Sequence, residues 1–167
     1  MEHPRAGRYR PMVIGFALIA LLDQATKLLV RRNFELYESV PVIDGLFNLT
    51  YIANPGAAFG LFAGLNSVWV NRIFILITFA ALPFVVYLYR EVAHQEKRLA
   101  VSLILVGGGA LGNLIDRLTI GPVTDFLDFY IGRYHWPAFN VADSCITIGV
   151  LIMITTWLLP HRSEPDS

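Results

Sequence analysis

The sequence predicts a membrane α-helical fold: four transmembrane helices, a small extracytoplasmic sheet between the first and second, and an interfacial segment between the third and fourth. Three observations predict it. Apolar residues make up 55% of the chain and charged residues 16%, outside the usual globular balance. Four stretches, 12–30, 68–89, 99–120 and 139–159, are long and apolar enough to cross hydrocarbon as helices. The connection after the first stretch instead alternates β-branched and aromatic residues with polar ones.

At the N-terminus, Arg5, Arg8 and Arg10 precede the apolar run "MVIGFALIALL", the pattern of a secretory signal. No small-x-small cleavage site follows, and the run continues to Val30, so the segment reads as a retained anchor. Basic residues orient the spans. Seven lie in the tails and the middle loop (Arg5, Arg8, Arg10, Arg90, Lys97, Arg98, Arg162), against Arg31, Arg32 and Arg133 on the other side. This bias, weakened by Arg72 near the outer end of the second span, puts both termini in the cytoplasm. The long first connection, "VPVIDGLFNLTYIANPGAAFGLF", carries Asp44-Gly45 at a turn position and predicts a hairpin on the outer membrane surface. In the third connection, Phe126, Phe129, Tyr130, Tyr134 and Trp136 suit a segment at headgroup depth. The whole chain, 1–167, reads as one integral membrane domain with no internal repeat.

Several function classes drop out. A formal net charge of zero gives no electrostatic footprint for nucleic acid. One cysteine, Cys145, excludes an internal disulfide and a thiolate metal cluster. None of His3, His94, His135 and His161 lies in a span and no two have ligand spacing, so no metal or haem site is predicted.

Because a charge at the bilayer centre costs about 2.5–3.5 kcal/mol or more, each ionisable residue at membrane depth calls for a partner or a function. Asp23 and Lys27 lie one helical turn apart and can pair. Asn113, Asp116 and Arg117, in "NLIDR", share one side of the third helix. Asp116 and Arg117 can reach the interface by snorkelling, whereas Asn113, deeper and with no local partner, faces a polar cavity. Asp125 follows the third span and Asp143 opens the fourth, so both carboxylates lie at similar depth on the outer side. Two acids meeting across a cleft share a proton and suit general acid and base catalysis. On spacing alone, Asp128 competes with Asp125. Gly108 and Gly112 have the small-xxx-small spacing of close helix packing. The turn signal "NPG" brings Asn54 and Gly56 to the site only if the loop folds back over the cleft.

Taken in order, "LDQATKLLV", "YIANPGAAFG", "GGALGNLIDRLTIGPVTDF" and "AFNVADSCITIG" resemble the four motifs of the lipoprotein signal peptidases (signal peptidase II), a family of intramembrane aspartic peptidases. The resemblance spans nearly the whole chain. It implies four helices with an outer β-cradle, metal-free chemistry without a cofactor, and a catalytic pair at Asp125 and Asp143. It further implies that Asn54, Gly56, Asn113, Arg117 and Asn140 line or support the site, with Asp23 and Lys27 a structural pair. The implied substrate is a diacylglyceryl-modified prolipoprotein, cut on the N-terminal side of the modified cysteine at the outer face of the bacterial inner membrane. Membrane lipids would then be the surrounding partners and a monomer the working unit. The competing reading of intramembrane acids is a small proton- or ion-coupled transporter subunit, which predicts acids spread across the bilayer.

Overall fold

The computed structural model describes residues 6–56 and 67–158. Helices α1 (Arg10–Asn33), α2 (Ser67–Val92), α3 (Lys97–Thr119) and α4 (Val141–Leu158) alternate with strands β1 (Ser39–Ile43), β2 (Phe47–Asn54), β3 (Val123–Ile131) and β4 (Tyr134–His135). All four helices are long and apolar enough to cross a membrane. Ala58 and Phe59 of the second motif, Leu159, and the tail residues His3, Arg5, His161 and Arg162 lie outside the described residues.

Helix α3 is the hub, packing against α1, α2 and α4. Its glycines allow this. A Cβ on Gly108 would stand 2.8 Å from Ile19 of α1, and one on Gly112 would stand 2.7 Å from the Asp23 carboxylate, so the expected small-residue pair does face a neighbouring helix. On the opposite side, a Cβ on Gly109 would clash with the Ala142 carbonyl, and one on Gly149 would meet the Ser102 carbonyl at 2.7 Å. These approaches bring the polar groups of α1, α3 and α4 within hydrogen-bond reach of one another. Towards the other end, Met12, Val85, Tyr89, Ala100 and Leu103 form an apolar core, and the Arg8 guanidinium donates to the Arg90 carbonyl. The outward faces stay apolar for lipid, as at Leu18, Leu21, Leu76 and Phe84.

The predicted hairpin is present, with Gly45 at φ 78° in the turn between β1 and β2. The sheet extends further than the first connection, because β3 and β4 of the third connection complete an antiparallel order β1-β2-β3-β4. Phe126, expected as a headgroup anchor, is instead buried in that sheet, and Phe129 stacks on Phe47 and Phe139. Trp136 and Tyr134 remain exposed, as anchors would be. Phe139 bridges to Leu127, so helix α4 starts only at Val141, two residues inside the expected span.

Candidate active site

The largest fully buried side chain among the described residues is Lys27, on α1. Its Nζ donates to Asp23 Oδ2 at 2.8 Å, Asp116 Oδ2 at 3.1 Å and Asn113 Oδ1 at 2.9 Å, which uses all three ammonium protons. The Asp23–Lys27 pair expected from spacing is therefore present, joined by a third ion. Asp116 does not snorkel. It is fully buried because α1 supplies its partners: Gln24 Nε2 donates to Oδ1 at 2.9 Å and Arg31 Nη1 lies 3.4 Å from the same oxygen. Asp23 turns its other oxygen to the N-terminus of α4, accepting from the Ala142 N–H at 3.0 Å.

Asn113 carries this cluster to the cleft. With its oxygen held by Lys27, its amide nitrogen must face outward, and it donates to Asp143 Oδ1 at 2.7 Å. Asp143 sits at the third position of α4, where Asn140 is the N-cap. The two form a reciprocal capping pair: Asp143 N–H donates to Asn140 Oδ1 at 2.9 Å and Asn140 N–H to Asp143 Oδ2 at 3.3 Å. Asn140, fully buried, spends its amide nitrogen on Asp125 Oδ1 at 2.7 Å. Asp125 Oδ2 accepts from Asn54 Nδ2 at 2.8 Å, since β2 does fold back to the cleft. Asn54 is oriented in turn by the Gly56 N–H, which donates to its Oδ1 at 2.8 Å. Gly56 has φ 100° and would drive a Cβ to 2.5 Å from Phe74, so this turn requires glycine.

Each carboxylate thus accepts two N–H donors, and Asn140 serves both. Asp125 is 2% exposed. Burial, and then the neighbouring Asp143 charge, push its carboxyl up to about 7, partly opposed by the bonds from Asn54 and Asn140. The Arg117 guanidinium lies over the Phe74 ring at 4.8 Å, donates to the Asn113 carbonyl, and is within electrostatic reach of both aspartates.

Asp128, the competitor on spacing, is held elsewhere: three residues along a strand turns it to the other face, where Asn48 Nδ2 donates to it at 2.9 Å and His135 Nδ1 lies 2.9 Å away. Gln24, Arg31 and Thr124 belong to the network but were not singled out by sequence reasoning. Only Gln24 had a signal, its place in the "DQATK" motif. No group of three or more His, Cys, Asp or Glu able to hold a metal ion occurs among the described residues.

A family model described as signal peptidase (SPase) II matches residues 15–159. The chain belongs to the signal peptidase II family. It is 49% identical over 152 residues to a lipoprotein signal peptidase of Syntrophus aciditrophicus, covering 91% of this chain and 94% of that one. A lipoprotein signal peptidase of Desulforapulum autotrophicum is 52% identical over 138 residues, covering 82% and 85%. A solved structure described as a bacterial membrane enzyme superposes with a TM-score of 0.77 at 31% identity, covering 94% of both chains. As a signal peptidase II the protein is a hydrolase and a multi-pass protein of the bacterial inner membrane. The transporter reading finds no support in these relationships.

Proposed function

We propose that Asp125 and Asp143 are the catalytic pair of an aspartic endopeptidase that removes the signal peptide of diacylglyceryl-modified prolipoproteins, on the N-terminal side of the modified cysteine. The observation that carries this reading is that Asn140 bonds both carboxylates, which converge from β3 and α4. Their environments differ in the way a division of labour requires. Asp143 lies in the first turn of α4, at the positive end of the helix dipole, and accepts from the Asn113 amide and the Asn140 N–H. Asp125 is more deeply buried and retains a proton up to about pH 7.

Asp143 is accordingly the base and Asp125 the acid. A water between them gives a proton to Asp143 while its oxygen attacks the scissile carbonyl carbon, and Asp125 gives its proton to the carbonyl oxygen. Collapse of the resulting gem-diol breaks the C–N bond, with Asp143 delivering its proton to the departing amine and Asp125 recovering one from a diol hydroxyl. Arg117 is close enough to stabilise charge developing on the carbonyl oxygen. Asn54, Gly56, Asn113 and Asn140 hold the carboxylates; Asp23 and Lys27 hold the helices.

The charge bias of the loops supports a site on the extracytoplasmic side with both termini cytoplasmic. There a lipid-anchored substrate, diffusing in the bilayer, brings its scissile bond to cleft depth. The chain acts as one domain and as a monomer, with membrane lipid around it. The test is incubation of purified protein with a diacylglyceryl-modified prolipoprotein and with the same precursor lacking the lipid. Release of the signal peptide from the modified precursor alone is the expected result; no release in suitable detergent or lipid overturns the reading.

A further inference from the structure

We propose that Arg31 and Thr124 are positioning residues for the peptidase: together with Asp116 they clamp β3 to α1 and α3 and thereby fix where Asp125 meets water and substrate. This rests on the catalytic reading of Asp125 given above.

Asp125 is paired with Ile52 at the edge of a ladder irregularity. The β2–β3 ladder runs in register from Phe47 to Leu49 and again from Ile52 to Asn54, but shifts between Leu49 and Ile52, beside Asp125. At such an irregularity the ladder is locally disrupted. Beyond it, Phe126 and Leu127 share a single acceptor, the Phe139 carbonyl. On the near side, Thr124 is 1% exposed and is gripped by side chains of two helices. Its N–H donates to Asp116 Oδ2 at 2.9 Å, and its Oγ1 accepts from Arg31 Nη1 at 2.9 Å. Arg31 also faces Asp116 Oδ1 at 3.4 Å.

Lys27 bonds both Asp23 and Asp116, so one ammonium serves two carboxyl groups. Arg31, 3.4 Å from Asp116 Oδ1, adds a second cation beside the carboxylate that accepts from the strand. Arg32, the next residue, is exposed and makes no such link among the described residues. The two bonds that Asp125 accepts, at 2.7 and 2.8 Å, leave little tolerance for a shift of β3. Misplacement of a reacting group by about 1 Å can lower a rate by up to about 100-fold.

The experiment compares kcat, KM and the pH profile of Arg31→Gln, Thr124→Val, Thr124→Ser, the Arg31→Gln/Thr124→Val double variant and Arg32→Gln on the lipidated precursor. Arg31→Gln and Thr124→Val are each expected to lower kcat roughly tenfold with KM within about twofold, and to move the alkaline limb of the profile. Thr124→Ser, which keeps the hydroxyl, restores most of the rate. The double variant loses no more than the worse single one, because the two residues act through one contact. Arg32→Gln behaves as wild type. Should Arg31→Gln not fold, the near-isosteric Thr124→Val and its Ser counterpart decide. Unchanged kcat in Thr124→Val, or multiplicative losses in the double variant, overturns the proposal while wild-type cleavage leaves the peptidase reading standing.

Discussion

Replacing Asn54 with alanine tests the proton assignment at the site. In the wild type, burial and the Asp143 charge raise the Asp125 carboxyl from 3.8 to about 7, a preference for the protonated form on the order of 4 kcal/mol. Asn54 opposes this by donating to Asp125 Oδ2 at 2.8 Å. A hydrogen bond to a charged group contributes about 1.5–3 kcal/mol, and the neutral carboxyl keeps part of it. Removing Asn54 therefore raises the Asp125 pKa by about one unit, at about 1.4 kcal/mol per unit. If Asp125 is the acid, activity falls as pH rises through its pKa, about tenfold per unit above it. The assay is kcat/KM for cleavage of the lipidated precursor between pH 5 and 10. The wild type should lose activity above about pH 7. Asn54→Ala, slower overall because Asp125 is less well held, should lose it only above about pH 8. A wild-type profile flat to pH 9, or a limb that moves down in the variant, would refute the assignment.

Stability should follow the same titration. The folded pKa of Asp125 lies above the unfolded 3.8, so its contribution is full below about pH 4 and is lost as pH rises through about 7. The melting temperature in detergent should fall between about pH 4 and 7, and less so in Asp125→Asn. Lys27→Met leaves Asp23 and Asp116 facing one another without their shared cation, and about 3–5 kcal/mol of destabilisation is expected by thermal or denaturant unfolding. Gly109→Ala, whose Cβ would clash with the Ala142 carbonyl, should push α4 from α3 and cost about 1–3 kcal/mol, with activity falling as Asn140 and Asp143 shift. Asp128→Asn, in a side-chain cluster with Asn48 and His135 on the other face of β3, should keep cleavage within severalfold of wild type.

How far the chain could be read before its fold was known varied with the range of the interactions. Spanning helices announce themselves through continuous hydropathy, a local property, and their ends moved by only a few residues. The Asp44-Gly45 turn is local too. Strand β3 was not legible, since the aromatic-rich "FLDFYIG" suits a headgroup-depth segment as well as a strand. Only pairing with β2, some 70 residues earlier, decides between them. Asp116 was misjudged for a related reason. Its burial depends on Gln24, Lys27 and Arg31, which belong to another helix and become neighbours only because Gly108 and Gly112 let α1 and α3 approach. Asn140 was legible as support for Asp143 through its one-turn spacing, but not as the bridge to Asp125, a tertiary contact between a helix cap and a strand.

The central claim is that Asp125 and Asp143 together perform the hydrolysis. It is tested most directly by purifying Asp125→Asn and Asp143→Asn and measuring single-turnover cleavage of the diacylglyceryl-modified precursor beside wild type. Both variants should remain folded in detergent and lose activity by about 1,000-fold or more, as expected when a positioned acid or base is removed. Cleavage by either variant within about tenfold of wild type would contradict the account.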